Sequence, residues 1–354
     1  MNKKILVGLL FVVLALAIVA CASPTPAPQP TAAPAPAQPT AAPAHPTAAP
    51  AAKKFRVAAL MPSSRNDLSF SQSMYDALAT MEKELGKDNF EFVVSENMFN
   101  VPDAAAAIRD YASKGYDLVI AHGSQYGASL ADIAPEFPNT SFAWGTAVDT
   151  FESKGIKNIF AYTVASDQGG YVEGVLGSKL SKTGKLGYIG PMPVGDGQLT
   201  GDGFVAGVKA TNPNQDVKTV FVNSFSDVAL ASQAAQTYVA SGVDVMAGTS
   251  QNMVGAVTVA KEKGALWFGN DVDQSSLAPK NVVASQVYDW TYAIKGMMKD
   301  IASGKRGGSV YKLTLENGGL KMVYNPEYPS PADVKALGDA TVKGIIDGSI
   351  KTGK

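Results

Sequence analysis

Apolar and polar positions along most of the chain follow two alternating periods. Residues 55–61 form a short apolar run, and after a polar turn the spacing switches to a helical stripe over 69–85. The pattern then repeats, with a strand over 90–94, a helix over 102–114, a strand over 117–121, a short helix over 129–136 and a strand over 141–144. The second half runs in the same order, with strands at 186–189, 217–222 and 243–247 and helices near 203–210 and over 229–241. Short apolar strands alternating with helices predict parallel sheets joined by right-handed crossovers, an α/β architecture.

The two halves also match residue by residue. Tyr111-Ala112-Ser113-Lys114-Gly115-Tyr116-Asp117-Leu118-Val119 aligns without gaps with Tyr238-Val239-Ala240-Ser241-Gly242-Val243-Asp244-Val245-Met246. In each, an aromatic residue on a helix precedes a glycine able to end it, and an aspartate opens a buried strand. Two such copies predict a duplicated lobe and not a solenoid; chance likeness between βαβ units is the other reading. Either way, two doubly wound parallel-sheet lobes are expected, joined by a hinge. Ligands of open parallel sheets sit beyond the carboxyl ends of the strands, so two facing edges make a cleft that hinged closure can seal.

The first 52 residues do not share this pattern. Lys3 and Lys4 precede an apolar run over 5–20, and Cys21, the only cysteine, follows. A basic start, a short apolar stretch and small residues before a cut site describe a secretory signal peptide over 1–20. The run is shorter than the roughly 20 residues that span a bilayer. Ile18-Val19-Ala20-Cys21 resembles a bacterial lipobox, which implies that Cys21 is lipidated and becomes the mature N-terminus; an uncleaved anchor is the alternative. A single cysteine permits no intrachain disulfide. Residues 22–52 are almost entirely Pro, Ala, Thr and Gln with no Asp, Glu, Lys or Arg, so they cannot bury a core and favour extended polyproline II. Residues 21–52 are thus expected to tether the rest to a membrane, with a reach on the order of 90 Å.

Composition narrows the function classes. The chain has 354 residues and a formal net charge of −1, which leaves no basic footprint for nucleic acid. Of the 2 histidines only His122 lies beyond the tether, so no metal cluster and no cofactor are expected. His122-Gly123-Ser124-Gln125 puts a histidine and a serine at a strand end, but no Gly-x-Ser-x-Gly elbow accompanies them. Residues 177–185 have the wrong spacing for a phosphate-binding P-loop, and no Gly-x-Gly-x-x-Gly follows the first strand. The chain is not expected to be an enzyme.

Several segments in order resemble the basic membrane protein family of transporter-linked receptors. They are Asp67-Leu68-Ser69-Phe70-Ser71-Gln72-Ser73, Tyr171-Val172-Glu173-Gly174, 203–208, Asn212-Pro213, Ser224-Phe225-Ser226-Asp227, 242–245, Gly269-Asn270-Asp271-Val272-Asp273-Gln274 and Ala284-Ser285. The resemblance implies a type I periplasmic-binding-protein fold in which the chain crosses the hinge three times. Lobe 1 is then expected over 53–162 plus about 272–308, and lobe 2 over 163–271 plus about 309–354. It further implies a purine nucleoside or nucleobase as ligand and an ABC importer permease as partner. The receptor is expected to be a monomer, held by its lipid on the extracytoplasmic face of a membrane, periplasmic or at the cell surface. A sensory receptor of the same fold, and a surface adhesion lipoprotein, are the alternatives.

The family pattern implies that Phe70 and Phe225 sandwich a flat base, where offset stacking adds roughly 0.5–1.5 kcal/mol beyond burial; core packing is the other reading for each. Asp67 and Asp271 are candidate acceptors for ligand hydroxyl or N–H groups, with Gln72 from the same segment as Asp67. Asp67 has a second reading as the cap of the helix beginning near Ser69. Ser124 and Thr249 follow equivalent strands and are candidate donors, or ordinary loop residues. Two departures stand out. Ser71 replaces the asparagine usual in nucleoside-binding relatives, and no lysine follows Ala284-Ser285. Tyr288 and Trp290 there offer aromatic surface instead, with Trp290 also readable as core.

Overall fold

The computed structural model describes residues 53–353, and strands and helices alternate along them as the periodicity predicts. The expected signal peptide, Cys21 and the tether lie outside the described residues. Along the first half run β1 (Phe55–Leu60), α1 (Phe70–Leu85), β2 (Phe90–Ser95), α2 (Val101–Ser113), β3 (Leu118–Ala121), α3 (Gly127–Ile133), β4 (Ser141–Gly145) and β5 (Ile159–Val164). Then come α4 (Ser166–Leu180), β6 (Lys185–Gly190), α5 (Gly195–Thr211), β7 (Asp216–Phe221), α6 (Val228–Ala240), β8 (Val245–Gly248), α7 (Val254–Lys263), β9 (Leu266–Asp271) and β10 (Val282–Tyr288). The chain ends with α8 (Thr291–Ala302), β11 (Val310–Leu313), β12 (Leu320–Tyr324) and α9 (Ala332–Ile346).

Two sheets result, with strand orders β11-β5-β4-β3-β1-β2 and β12-β10-β9-β8-β6-β7. Every pairing is parallel except that of β10 with β12. Both faces of each sheet are covered, so its central strands are buried on both sides. In β1 the alternation sends Val57 and Ala59 toward Leu78 of α1 and Ile294 of α8, while Ala58 and Leu60 meet Ile108 of α2 and Leu130 of α3. In the second sheet, Leu186 and Tyr188 join Val172 of α4 and Phe204 of α5, and Ile189 joins Ala235 of α6 and Val257 of α7.

The expected lobe boundaries need correction in their second parts. β10 hydrogen-bonds to β9 within the second sheet, so most of 272–288 belongs to lobe 2. β11 pairs with β5 in the first sheet, so 310–313 belongs to lobe 1. The chain therefore crosses after β5, after β10 and after β11. These crossings are tied to one another: Ala165 N donates to the Leu313 carbonyl at 2.8 Å, and Asp289 N to the Gly319 carbonyl at 2.7 Å. One continuous apolar core runs past them, including Val164, Tyr288, Trp290 and Leu313.

The matched segments behave alike. Gly115 and Gly242 stand just past α2 and α6 with φ of 70° and 87°, where a side chain would be strained. Asp117 Oδ2 accepts from Arg56 N at 2.9 Å, and Asp244 Oδ2 accepts from Lys182 N at 2.7 Å. Each aspartate thus ties the start of its own strand to the chain entering the neighbouring one. The helix expected near 203–210 begins earlier, at Gly195, because glycines let it lie against α4. A Cβ on Gly174 would fall 2.1 Å from the Phe204 carbonyl oxygen, and one on Gly207 2.1 Å from that of Tyr171. This close backbone approach packs the body of α5 directly on α4, and Asp196 lies in the first turn of α5, beside the cleft.

Candidate binding cleft

The segment before α1 is organised by one carboxylate. Asp67 Oδ1 accepts from the amides of Ser69 (2.9 Å) and Gln72 (3.0 Å), and Oδ2 from that of Ser71 (3.1 Å) and from the Ser63 hydroxyl. Asp67 thus satisfies the open N–H groups of the helix start, and Ser69, in the N-cap position, is released for another role. Its hydroxyl reaches across to Asp271 Oδ2 in the other lobe at 2.5 Å. Nearby, Gln274 Nε2 donates to the Leu68 carbonyl at 3.1 Å. Leu68 and Asp271, one on each side of these bridges, both hold left-handed backbone, with φ of 54° and 71°. Such conformations cost on the order of 1–3 kcal/mol and gather at ligand clamps and switch regions.

Phe70, the first residue of α1, rests on His122. The rings stack with centroids 3.8 Å apart and planes 7° apart. His122 is wholly buried; its Nε2 lies 3.0 Å from the Phe70 carbonyl and its Nδ1 2.8 Å from the Tyr162 hydroxyl. A carbonyl only accepts, so Nε2 carries the proton and Nδ1 accepts from Tyr162. Burial pushes the histidine pKa down to about 3, opposed in part by the bond to Phe70.

The two sheets face each other across a cleft of about 460 Å³, within the range of small-molecule sites. Lobe 1 contributes Phe70, Phe99, Val101, Ser124, Gln125 and Thr146, and lobe 2 contributes Val194, Asp196, Phe225, Thr249, Gln251 and Asp271, among others. Among the described residues no lysine, arginine or histidine lines it. Burial pushes Asp271 up to about 7, with the charge of Asp67 adding to the rise and bonds from Ser69 and Thr249 opposing it. Asp196 is likewise raised to about 7, by burial and then by Asp271, with Lys312 opposing.

Of the residues expected at the site, the cleft brings together Phe70, Ser124, Phe225, Thr249 and Asp271. The others lie elsewhere. Asp67 spends its oxygens on the helix start, and Gln72 Oε1 accepts from Leu68 N at 3.1 Å, holding the strained turn. Tyr288 is buried in the hinge core, and Trp290 is wholly buried with Nε1 donating to Ser73 Oγ at 2.8 Å. Trp290 still acts on the site at one remove, since it meets Phe70 edge-on at 6.3 Å and His122 at 5.4 Å. Ser71, the departure from the family pattern, is buried and accepts from Ser63 N at 3.1 Å, so the change is absorbed inside the turn.

A family model described as Bmp, ABC transporter substrate-binding protein PnrA-like, matches residues 54–352. The chain belongs to the Bmp family. It is 28% identical over 298 residues to a purine-binding protein of Brucella abortus (strain 2308), covering 84% of this chain and 83% of that one. It is 28% identical over 276 residues to basic membrane protein B of Borreliella burgdorferi, covering 75% and 80%. An ABC transporter solute-binding protein from Conexibacter woesei shares the fold, with a TM-score of 0.69 at 22% identity over 84% of this chain and 98% of that one.

As a Bmp protein the chain is an extracytoplasmic solute-binding protein of an ABC transporter and not an enzyme. The burial of His122 agrees with this, because its ring serves as a neutral support for Phe70. Among the described residues no helix is long and apolar enough to cross a membrane. Sequence reasoning missed Phe99, Gln125, Asp196 and Gln251 at the Bmp cleft. Asp196 lies between Gly195 and Gly197 in the first turn of α5, and its place in the segment that follows the carboxyl end of a parallel strand, β6, was the signal that could have found it.

Proposed function

We propose that this Bmp protein is a lipid-anchored receptor that captures a purine nucleoside or nucleobase between its lobes and hands it to the permease of an ABC importer. Phe70 and Phe225 come from opposite lobes and line one cleft, and this carries the reading. A flat heterocycle gains roughly 0.5–1.5 kcal/mol per stacked ring beyond burial. Asp196, Asp271, Ser124, Gln125, Thr249 and Gln251 supply acceptors and donors for ring N–H, amino and ribose hydroxyl groups. Among the described residues no cation lines the cleft, which favours an unphosphorylated ligand, since a phosphate here would meet two acidic side chains and no counter-charge. The purine-binding name of the Brucella relative supports the ligand class. The basic start, the apolar run over 5–20 and Cys21 support the anchor.

Titration calorimetry with adenosine, guanosine, inosine, adenine and hypoxanthine tests the ligand class, with AMP as the phosphorylated control. The protein is unfolded and refolded first, to strip any retained ligand. At least one of the five is expected to bind and AMP to bind far more weakly. No heat from any of the five ends the purine assignment, and AMP binding as tightly as adenosine ends the charge argument. Mass spectrometry of the membrane-extracted protein for a diacyl-modified Cys21 tests the anchor.

A further inference from the structure

Two loops at the cleft are built alike. β2 and β7 are the corresponding edge strands of the two sheets. After β2 the chain reads Asn97-Met98-Phe99, and after β7 it reads Asn223-Ser224-Phe225. Both asparagines are left-handed, with φ of 60° and 56°, a conformation asparagine tolerates better than most residues. In both loops the middle residue is clamped by its carbonyl. Met98 O accepts from the Tyr126 hydroxyl at 2.7 Å, and Ser224 O accepts from Asn252 Nδ2 at 2.8 Å. Tyr126 and Asn252 lie in corresponding 3₁₀ turns, Ser124–Tyr126 after β3 and Gln251–Met253 after β8. Each loop then enters a helix through a side-chain cap, Asn100 accepting from Asp103 N and Asp227 from Ala229 N and Leu230 N.

The backbones under Phe99 and Phe225 are therefore held firmly, while the side chains stay partly open to solvent. They are 39% and 41% exposed, the only exposed phenylalanines among the described residues, and both line the cleft. A lone exposed ring needs no explanation, but a matched pair on rigid loops around one cavity does. α5, which follows β6 as α1 follows β1, begins with Gly195 and puts no ring in the place of Phe70, so the matched loops pair Phe225 with Phe99 and leave Phe70 as a third ring.

We infer that Phe99 is a ligand-contacting, specificity-determining residue, the first-lobe partner of Phe225, and that with Phe70 the two give the cleft three aromatic walls for a planar ligand. The inference rests on the proposal that the cleft holds a flat heterocycle. Because the loop is already ordered, little conformational freedom is lost when the ring is covered, and its contribution appears mainly as slower release.

The test measures affinity and dissociation rate for the full-length protein and its Phe99→Ala, Phe99→Tyr and Phe225→Ala variants. The probes are the five purines, nicotinamide and cytidine as planar non-purines, and ribose. Phe99→Ala is expected to weaken the planar ligand that the parent binds by about tenfold, chiefly through faster dissociation. Phe99→Tyr, which keeps the ring face, is expected to stay close to the parent. The melting midpoint should stay unchanged in all three variants, since both rings are exposed. Parental affinity in Phe99→Ala beside a loss in Phe225→Ala overturns the inference and leaves the purine reading standing. Binding of nicotinamide or cytidine but no purine, weakened by Phe99→Ala, overturns the purine reading and leaves the inference standing. A parent that binds only ribose, or none of the planar probes, overturns both.

Discussion

Phe70 lies flat on His122, with ring centroids 3.8 Å apart, and the same histidine donates to the carbonyl of Phe70 itself. One side chain thus supports both the ring and the first turn of α1, so the cleft wall is set before any ligand arrives. His122→Ala is expected to cost about 2–4 kcal/mol, because it opens a cavity and leaves the Tyr162 hydroxyl unpaired, while the Phe70 carbonyl keeps its bond from Ser73 Oγ. Ligand affinity should fall with it. Urea unfolding and calorimetry on the same preparation measure the two losses.

The protonation of His122 gives a second handle. Its folded pKa is pushed down to about 3, whereas an unfolded histidine titrates near 6.5. The unfolded chain therefore binds the extra proton first as pH falls, and the stability His122 contributes above about pH 6.5 is lost progressively on acidification toward 3. His122 is the only histidine after the tether. In protein trimmed to residues 53–354, its ring resonance is expected to stay at the neutral position from pH 8 to 5. A midpoint near 6.5 in the nuclear magnetic resonance titration would contradict the buried, neutral assignment.

Asp271 works in the opposite direction. The folded protein holds its proton up to about pH 7, while the unfolded chain releases it near 3.9. Between those values the native state binds the extra proton, so this stabilisation is complete below about 4 and declines as pH rises through 7. Asp271→Asn, which can still accept from Ser69, is expected to lose this decline. Denaturant midpoints for parent and variant at pH 5, 6, 7 and 8 should diverge with rising pH, the variant becoming relatively more stable. Parallel pH profiles would show that Asp271 is ionised throughout.

The α4–α5 contact makes a purely steric prediction. Gly174→Ala drives a methyl group against the Phe204 backbone and should cost about 1–3 kcal/mol or more. Gly177→Ala, in the same helix, meets only side-chain ends at 3.1 Å and beyond and should cost less. The two melting midpoints compare them directly, and equal midpoints would remove the close-packing account.

What could be read early and what could not divides along physical lines. The αL glycines at 115 and 242 and the aspartates at 117 and 244 act locally, so their matched roles were legible from spacing. The lobe boundaries were not, because β10 and β11 are both short strands that follow one another with a single helix between them. Nothing in either strand's residues says which sheet it joins; β10 lies beside β9, and β11 beside β5, in sequence far behind it. Asp67 and Trp290 were left with two readings each for the same reason. A carboxylate near a helix start can cap or bind, and the positions of the Ser69, Ser71 and Gln72 amides decide it.

By itself, then, the order of residues determined the α/β alternation, the likeness of the two halves, the absence of metal-binding and nucleophile motifs, and the aromatic and acidic segments from which a cleft could be assembled. These depend on periodicity and on residue type, which are properties of the chain before it folds. Which rings and carboxylates share the cavity was decided only by tertiary structure. Phe99 comes from the loop after β2, Asp196 from the first turn of α5 and Asp271 from the end of β9, and contacts between elements far apart in the chain bring them to one cavity.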